Sequence, residues 1–363
     1  MKTILIWIGC LFPAALTASP VVKGLWVVRD ILKSKSETDK MLSFVEKAGI
    51  TDVFLQVRGR ADAYYKSDIV TRAENLDPGW DPLGYVCEKL KGRAVHVHAW
   101  LNVYYLWSAD RLPTDSTHLL YRHREWSAVS RSGASMYKEG IEVLKQRGLE
   151  GIFLSPANND FSTYFIDVVV ELISRYPIQG IHLDYVRFPS DEYDYSAAIR
   201  SKFLLAYHLD PLNIVQDESH RKLWDSFRKE QVSDLVKQVY RTIKSRDSLL
   251  TLSAAVWADA KMADNVVLQD WSGWLNTGQV DFLVLMNYAT DDAVYENRLK
   301  EAGRRVGDLT RVISGISLYN QNPDGVKRKL DVSRKYPLRG LSFFSYETIR
   351  TEKRYRDLIL QTP

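Results

Sequence analysis

The segment Gly180-Ile-His-Leu-Asp-Tyr-Val-Arg-Phe-Pro189 carries the strongest chemical signal in the chain. Asp184 falls where an apolar run gives out, so its carboxyl stands at a strand end and can act as an acid or a base. The bland alternative is a pair with Arg187 or a loop cap. His182 shares a strand face with Asp184, because side chains alternate. A second run ends in Gln56-Val-Arg58, where alternation gives Gln56 and Arg58 one face. Polar groups at such a place are costly to bury unless paired. Arg58 can orient a carboxylate or hold a substrate oxygen, and Asp62 is its candidate partner in a purely structural ion pair. A third run places His96, His98, Trp100 and Asn102 on one side. A His-x-His pair can bind metal. Beyond His182 no later run supplies a further histidine, so no metal site is expected and His98 reads as a hydrogen-bonding site residue.

Carboxylates recur after later runs. Asp259 follows Ala255-Val-Trp257, Asp291 and Asp292 follow Met286-Asn287-Tyr288, and Glu347 follows Ser345-Tyr346. Glu347, Asp291 and Asp259, in that order, are the candidate second carboxyls beside Asp184. Trp100, Tyr104, Tyr105, Trp107, Trp257 and Tyr288 are aromatic residues that can line the same face. Aromatic rings beside carboxylates suit sugars, whose C–H faces stack while their hydroxyls hydrogen-bond. Each ring alone could equally be core.

These residues need elements to position them. Short apolar runs occur at 24–28, 53–57, 94–99, 180–186, 250–256, 281–287, 311–316 and 340–345. Most are apolar on both alternating faces, as strands of a parallel sheet covered on both sides should be. Between them lie amphipathic stretches at 36–48 (with Thr38 as cap), 82–90, 161–176, 221–244, 291–306, 324–336 and 352–360. This alternation predicts the α/β class: one (β/α)₈ TIM barrel as a single domain over 19–363. Long loops follow the second and third strands. The latter, 100–160, carries a helical stretch at 135–147. Both leave the C-terminal ends of strands, where barrel sites are built, and read as walls of a cleft.

Composition excludes several classes. Of 363 residues, 45% are hydrophobic and 26% charged, which is globular and not disordered. With 49 Lys plus Arg against 45 Asp plus Glu, the net charge of +4 gives no basis for a nucleic-acid partner. Two cysteines rule out a disulfide scaffold. No Gly-x-Gly-x-x-Gly, phosphate loop or Gly-x-Ser-x-Gly elbow is present, so no cofactor is implied and a serine hydrolase is not supported. The N-terminus has the charged, apolar, small-residue order of a secretory signal, with cleavage after Ala18. Its apolar run, Ile4 to Phe12, is shorter than the roughly 20 residues of a membrane span. Cys10 invites a lipoprotein reading, which Trp7-Ile8-Gly9 fits badly. The expected location is the periplasm or the extracellular space, with no membrane insertion after signal cleavage. Cys87, left in the mature chain, reads as a small buried apolar group.

The chain resembles the glycosyl-hydrolase-like family 10, once called domain of unknown function 187. The matching pieces are Gln56-Val-Arg58 with Asp62-Ala63 and Tyr65, then His98-Ala-Trp100-Leu-Asn102, and Leu154-Ser-Pro156. Gly180-Ile-His-Leu-Asp-Tyr185 with Arg187 and Pro189 follows, then Phe227-Arg228-Lys-Glu230. They cover nearly the whole mature chain. The resemblance implies a bacterial envelope enzyme that cuts peptidoglycan glycan strands. Gly59 and Val103 stand where the family favours proline, and Leu285-Met286 where it tends to Pro-Gln. Met286-Asn287-Tyr288 is closer to chitinase-type barrels, which use a substrate acetamido group in place of a protein nucleophile.

The reading is therefore an exported, monomeric glycoside hydrolase acting on a glycan that contains amino sugars, peptidoglycan first. Asp184 is one catalytic carboxyl, with Glu347 or Asp291 as its partner. Gln56, Arg58, Asp62, His98, Trp100, Asn102, Arg187, Trp257, Asn287 and Tyr288 are the candidate substrate-binding residues. Rival readings are cleavage of an exported polysaccharide by a substrate-assisted route, a non-catalytic glycan-binding barrel, and a structural envelope protein.

Overall fold

The computed structural model describes residues 22–214 and 217–362. The expected signal at 1–18 lies outside the described residues. The strands, in chain order, are β1 (Val22–Val27), β2 (Asp52–Arg58), β3 (His96–Asn102), β4 (Tyr105–Trp107), β5 (Ile152–Phe153), β6 (Gly180–Asp184), β7 (Thr251–Trp257), β8 (Phe282–Met286), β9 (Val312–Ser317) and β10 (Gly340–Phe344). Eight of them close a parallel barrel in the order β1-β10-β9-β8-β7-β6-β3-β2. The short β4 and β5 pair antiparallel outside it. The expected (β/α)₈ barrel is the observed fold.

The strands obey their patterning. One set of side chains fills the barrel, with Trp26, Phe54, Trp100, Phe282, Val284 and Ile313 as a separate apolar cluster. The alternate set, such as Leu25, Val53, Leu55, Ile181 and Leu183, faces the surrounding helices in the larger core. Burying each such side chain contributes about 1.5–3 kcal/mol. The helices start where their chemistry directs. Asp81 caps Pro82–Leu90 and Asn158 caps Asn159–Arg175 by accepting backbone N–H bonds. The first long helix, Lys35–Lys47, is capped by Ser34, which accepts from Glu37 N–H. Thr38 is not the cap: it lies inside that helix, buried, its hydroxyl donating back to Ser34 O at 2.9 Å. Gly49 follows at φ +63°, a conformation that favours glycine.

The 100–160 insertion forms its own layer beside the barrel mouth. β4 and β5 pair there, and the helix Met136–Gln146, capped by Ser135 and kinked at Gly140, packs against β5. Tyr104 and Trp107 are consumed in this layer. Tyr104 is fully buried against Phe161, ring centroids 5.4 Å apart, and the Trp107 indole donates to Ala109 O and Arg111 O. Cys87 is buried on its helix, and burial pushes its thiol up to about 12, which leaves it inert. Among the described residues no helix is long and apolar enough to cross a membrane.

Candidate active site

The C-terminal ends of the barrel strands surround a cavity of about 610 Å³. Its floor is Trp26, whose indole N–H donates to His182 Nε2 at 3.2 Å. His182 Nδ1 lies 2.9 Å from Ser253 Oγ, and full burial drives the imidazole well below its usual range, so it is a neutral strut. Asp184 ends β6 beside this floor, 7% exposed. Its Oδ1 accepts the Tyr185 backbone N–H at 2.7 Å and its Oδ2 accepts the Trp100 indole N–H at 3.1 Å. Burial raises the Asp184 carboxyl to about 6. The Tyr185 N–H, Arg187 and the Trp100 N–H oppose that rise, and the nearby charge of Glu150 reinforces it.

Tyr185 is what aims the carboxyl. It sits at φ +49°, a region that a bulky residue occupies only under constraint. Its ring is stacked on Tyr105 at 4.3 Å, and its carbonyl accepts Tyr104 N–H at 3.2 Å. The strained turn is thus held from both sides.

A polar chain runs round the mouth from β1 to β6. Arg29 Nη1 donates to Gln56 Oε1 at 3.0 Å, and Gln56 Nε2 reaches Asn102 Oδ1 at 3.4 Å. The Trp100 indole N–H is shared between Asn102 Oδ1 and Asp184 Oδ2, both at 3.1 Å. On the far wall, Arg187 Nη2 meets Glu150 Oε2 at 2.7 Å, and its guanidinium lies over the rings of Tyr185 at 4.7 Å and of Trp257 and Phe153 at 5.6 Å. Arg187 is buried while Glu150 is 47% exposed, so the carboxylate is the solvent-facing half of the pair and lines the cavity. Asp259 also lines the cavity. It caps a short helix through Lys261 and Met262 N–H and pairs with Arg298 at 3.3 Å.

Of the expected residues, the structure brings together Asp184, Asp259, Gln56, Trp100, Asn102, Tyr105, Arg187, Trp257 and Tyr288 around this cavity. The others fall elsewhere. Glu347 lies in the first turn of the helix that follows β10, where it is held by Arg350 at 2.7 Å on the exposed surface. Asp291 caps the helix Asp292–Val306 by accepting Val294 N–H at 2.8 Å. Arg58 does not share the Gln56 face, because the β2–β3 register shifts between them. Its guanidinium turns outward onto the Phe165 ring and donates to Asn102 O and Val103 O. Asp62 closes a turn by accepting Arg60 N–H at 2.8 Å. Asn287 points out of the barrel, by alternation with Tyr288, and donates to Tyr295 O. His98 sits four residues before Asn102, about 13 Å down the strand. There its Nε2 meets Asp52 Oδ1 at 2.9 Å, near the opposite end of the barrel, and His96 engages the same oxygen at 3.4 Å. Neither histidine lines the cavity.

Sequence reasoning did not find Glu150, Arg29, Arg298 or Tyr319, all of which line the cavity. Glu150 falls in a loop with no periodicity to mark it. The signal available was its place just before the short run at 151–154.

The glycosyl hydrolase-like 10 model matches residues 21–324, most of the chain. The chain belongs to the glycosyl hydrolase-like 10 family. Glycosyl hydrolase YngK of Bacillus subtilis (strain 168) is 25% identical over 296 residues, covering 74% of this chain and 51% of that protein. Glycosyl hydrolase DigH of Escherichia coli (strain K12) is 27% identical over 216 residues, covering 56% of this chain and 43% of that one. The chain spans about half the length of the curated relatives it matches. Among solved structures, the PgaB (BpsB) glycoside hydrolase domain from Bordetella bronchiseptica superposes with a TM-score of 0.73 at 14% identity, covering 95% of this chain and 100% of that one. That likeness is one of fold. For this glycosyl hydrolase-like 10 member, the cavity at the barrel mouth is the candidate active site.

Proposed function

We propose that this protein is an exported glycoside hydrolase that cuts a bacterial envelope or extracellular glycan containing amino sugars, with peptidoglycan glycan strands as the first substrate to test. The observation that carries the reading is Asp184: a buried carboxyl, raised to about 6, at the base of an aromatic-lined cavity. Such a group keeps a proton at mildly acidic pH and can give it to a leaving oxygen. Family membership supports the same reaction class.

In this reaction Asp184 transfers its proton to the glycosidic oxygen as the C1–O bond breaks, and the bonding pair leaves with that oxygen. Glu150 is the second carboxylate. It takes a proton from water as the water adds to the oxocarbenium-like C1. Glu150 then releases its proton to solvent and Asp184 takes one up, so both groups are restored and one water is consumed. Arg187 holds Glu150, while Trp100 and the Tyr185 N–H orient Asp184. The product anomer reports the geometry: inversion goes with carboxyls about 6.5–9.5 Å apart and retention with about 5 Å.

The Arg187–Glu150 contact favours a second reading. Where substrate leaves that pair intact, the substrate's own acetamido oxygen attacks C1, and glycans stripped of N-acetyl groups are not cut.

The deciding experiment incubates the purified protein and Asp184→Asn with peptidoglycan, with and without stem peptides, and identifies released sugars by mass spectrometry. Release by the wild type alone is expected. Equal release by both removes Asp184 from the chemistry. Binding without release from either favours a glycan-binding barrel.

A further inference from the structure

Tyr319 is 61% exposed, yet it lines the active-site cavity. A single exposed apolar side chain is ordinary and carries nothing by itself. Tyr319 differs in how it is held. Ser317 Oγ donates to Asn320 Oδ1 at 2.5 Å, Asn320 Nδ2 donates to Tyr288 O at 3.0 Å, and Gln321 Nε2 donates to Ser317 O at 2.7 Å. Leu318 N–H adds a bond to Phe344 O at 2.8 Å. The loop after β9 is thus tied to the ends of β8 and β10 on both sides of Tyr319.

The ring also continues an aromatic path. Tyr319 meets Tyr288 at 6.3 Å and Phe344 at 6.1 Å, edge-on to both. Those two rings meet the floor residue Trp26 at 6.3 and 5.8 Å. The path therefore climbs from the base beside Asp184 to the rim. The cavity volume of about 610 Å³ falls in the ~300–1,000 Å³ range of sites for drug-sized molecules, more than one pyranose ring requires.

We propose that Tyr319 is a stacking platform for a second sugar ring, one position out from the ring cleaved at Asp184. The protein is then selective for chains of linked sugars over single units and short termini. This rests on the glycoside-hydrolase reading above. Tyr319 is a specificity-determining residue in this account and takes no part in proton transfer.

The test compares wild type, Tyr319→Ala and Tyr319→Trp on peptidoglycan glycan strands freed of stem peptides, and on the single sugar N-acetylglucosamine. Initial rates are read on the strands, and calorimetric binding on both ligands. An aromatic contact worth ~0.5–1.5 kcal/mol predicts that Tyr319→Ala raises KM on strands up to about tenfold. The same change is expected to leave kcat within about twofold and binding of the single sugar unchanged. Tyr319→Trp is expected to keep the wild-type KM. Thermal unfolding of Tyr319→Ala should match wild type, because the ring is mostly exposed. Strand KM and binding unchanged in Tyr319→Ala would overturn the platform and leave the hydrolase reading standing. Equal weakening for strand and single sugar would also overturn it. A wild type that neither cuts nor binds either ligand would sink the hydrolase reading, and the platform with it.

Discussion

The Trp100 indole N–H donates to Asp184 Oδ2 at 3.1 Å, from the strand that neighbours β6 in the barrel. This bond stabilises the ionised carboxylate, while burial opposes ionisation more strongly, so the carboxyl comes to rest at about 6. As a general acid, Asp184 should support turnover that declines as pH rises through about 6. A pH–kcat profile on glycan strands checks this, and a rate that is flat from pH 5 to 8 would contradict it.

The same shift has a stability consequence. Between the ordinary aspartate range and about 6, the folded protein binds a proton that the unfolded chain has released. Stability therefore falls as pH rises across that window and stays reduced above it. A rise from the ordinary aspartate range to about 6 corresponds to on the order of 3 kcal/mol. Asp184→Asn should accordingly abolish turnover and raise stability at pH 7 by up to that amount. At pH 3, where both states hold the proton, it should gain nothing. Urea unfolding at the two pH values measures the difference.

Trp100→Phe and Glu150→Gln should move the high-pH limb of the rate profile, set by Asp184, in opposite directions. Trp100→Phe removes a donor that favours the ionised form, so the Asp184 carboxyl rises and the limb moves to higher pH. Glu150→Gln removes a negative charge that disfavours ionisation and leaves Arg187 uncompensated, so the limb moves to lower pH. Where Glu150 also activates water, kcat should fall by about 10²–10⁴-fold. Shifts of the same sign in both variants would contradict the arrangement.

The barrel was legible because its strands are apolar on both faces and separated by amphipathic stretches, a pattern few folds share. Asp184, Trp100 and Asn102 were legible because alternation along regular strands fixes their face. The failures have local causes. The register shift after Gln56 turned Arg58 outward, which alternation cannot foresee. Glu347 and Asp291 lie just past strand ends, but there the chain enters helices, and their carboxyls answer an adjacent arginine and a backbone N–H. His98 has the right face and the wrong depth, since face is set by parity and depth by where the strand begins. Glu150 was invisible because only the tertiary approach of the insertion brings it to Arg187.

Those displaced carboxyls yield a contrast. Glu347→Gln removes only an exposed pair with Arg350, which contributes about 0–1 kcal/mol. Its turnover should match wild type within about twofold, with the pH profile unchanged. A loss comparable to that of Glu150→Gln would return Glu347 to the chemistry.

The far end of the barrel should govern stability and leave catalysis alone. Burial works to raise the Asp52 carboxyl, but His96, His98 and Thr51 hold it well below the usual carboxylate range. Its stabilisation is present above the unfolded aspartate range and is lost as pH falls through the lowered value. Hydrogen bonding to Asp52 raises His96, so that contribution has the opposite sense and is lost as pH rises through the raised imidazole value. The two overlap most between roughly pH 4 and 6. Asp52→Asn, which weakens charge-assisted bonds to buried His98, should cost about 2 kcal/mol there. Gln56, four residues along β2 and about 13 Å away, should keep its place in the cavity wall. Unfolding midpoints across pH 4–8, paired with kcat on the same preparations, test the separation. A fall in kcat without a fall in stability would show that the base of the barrel reaches the chemistry at its mouth.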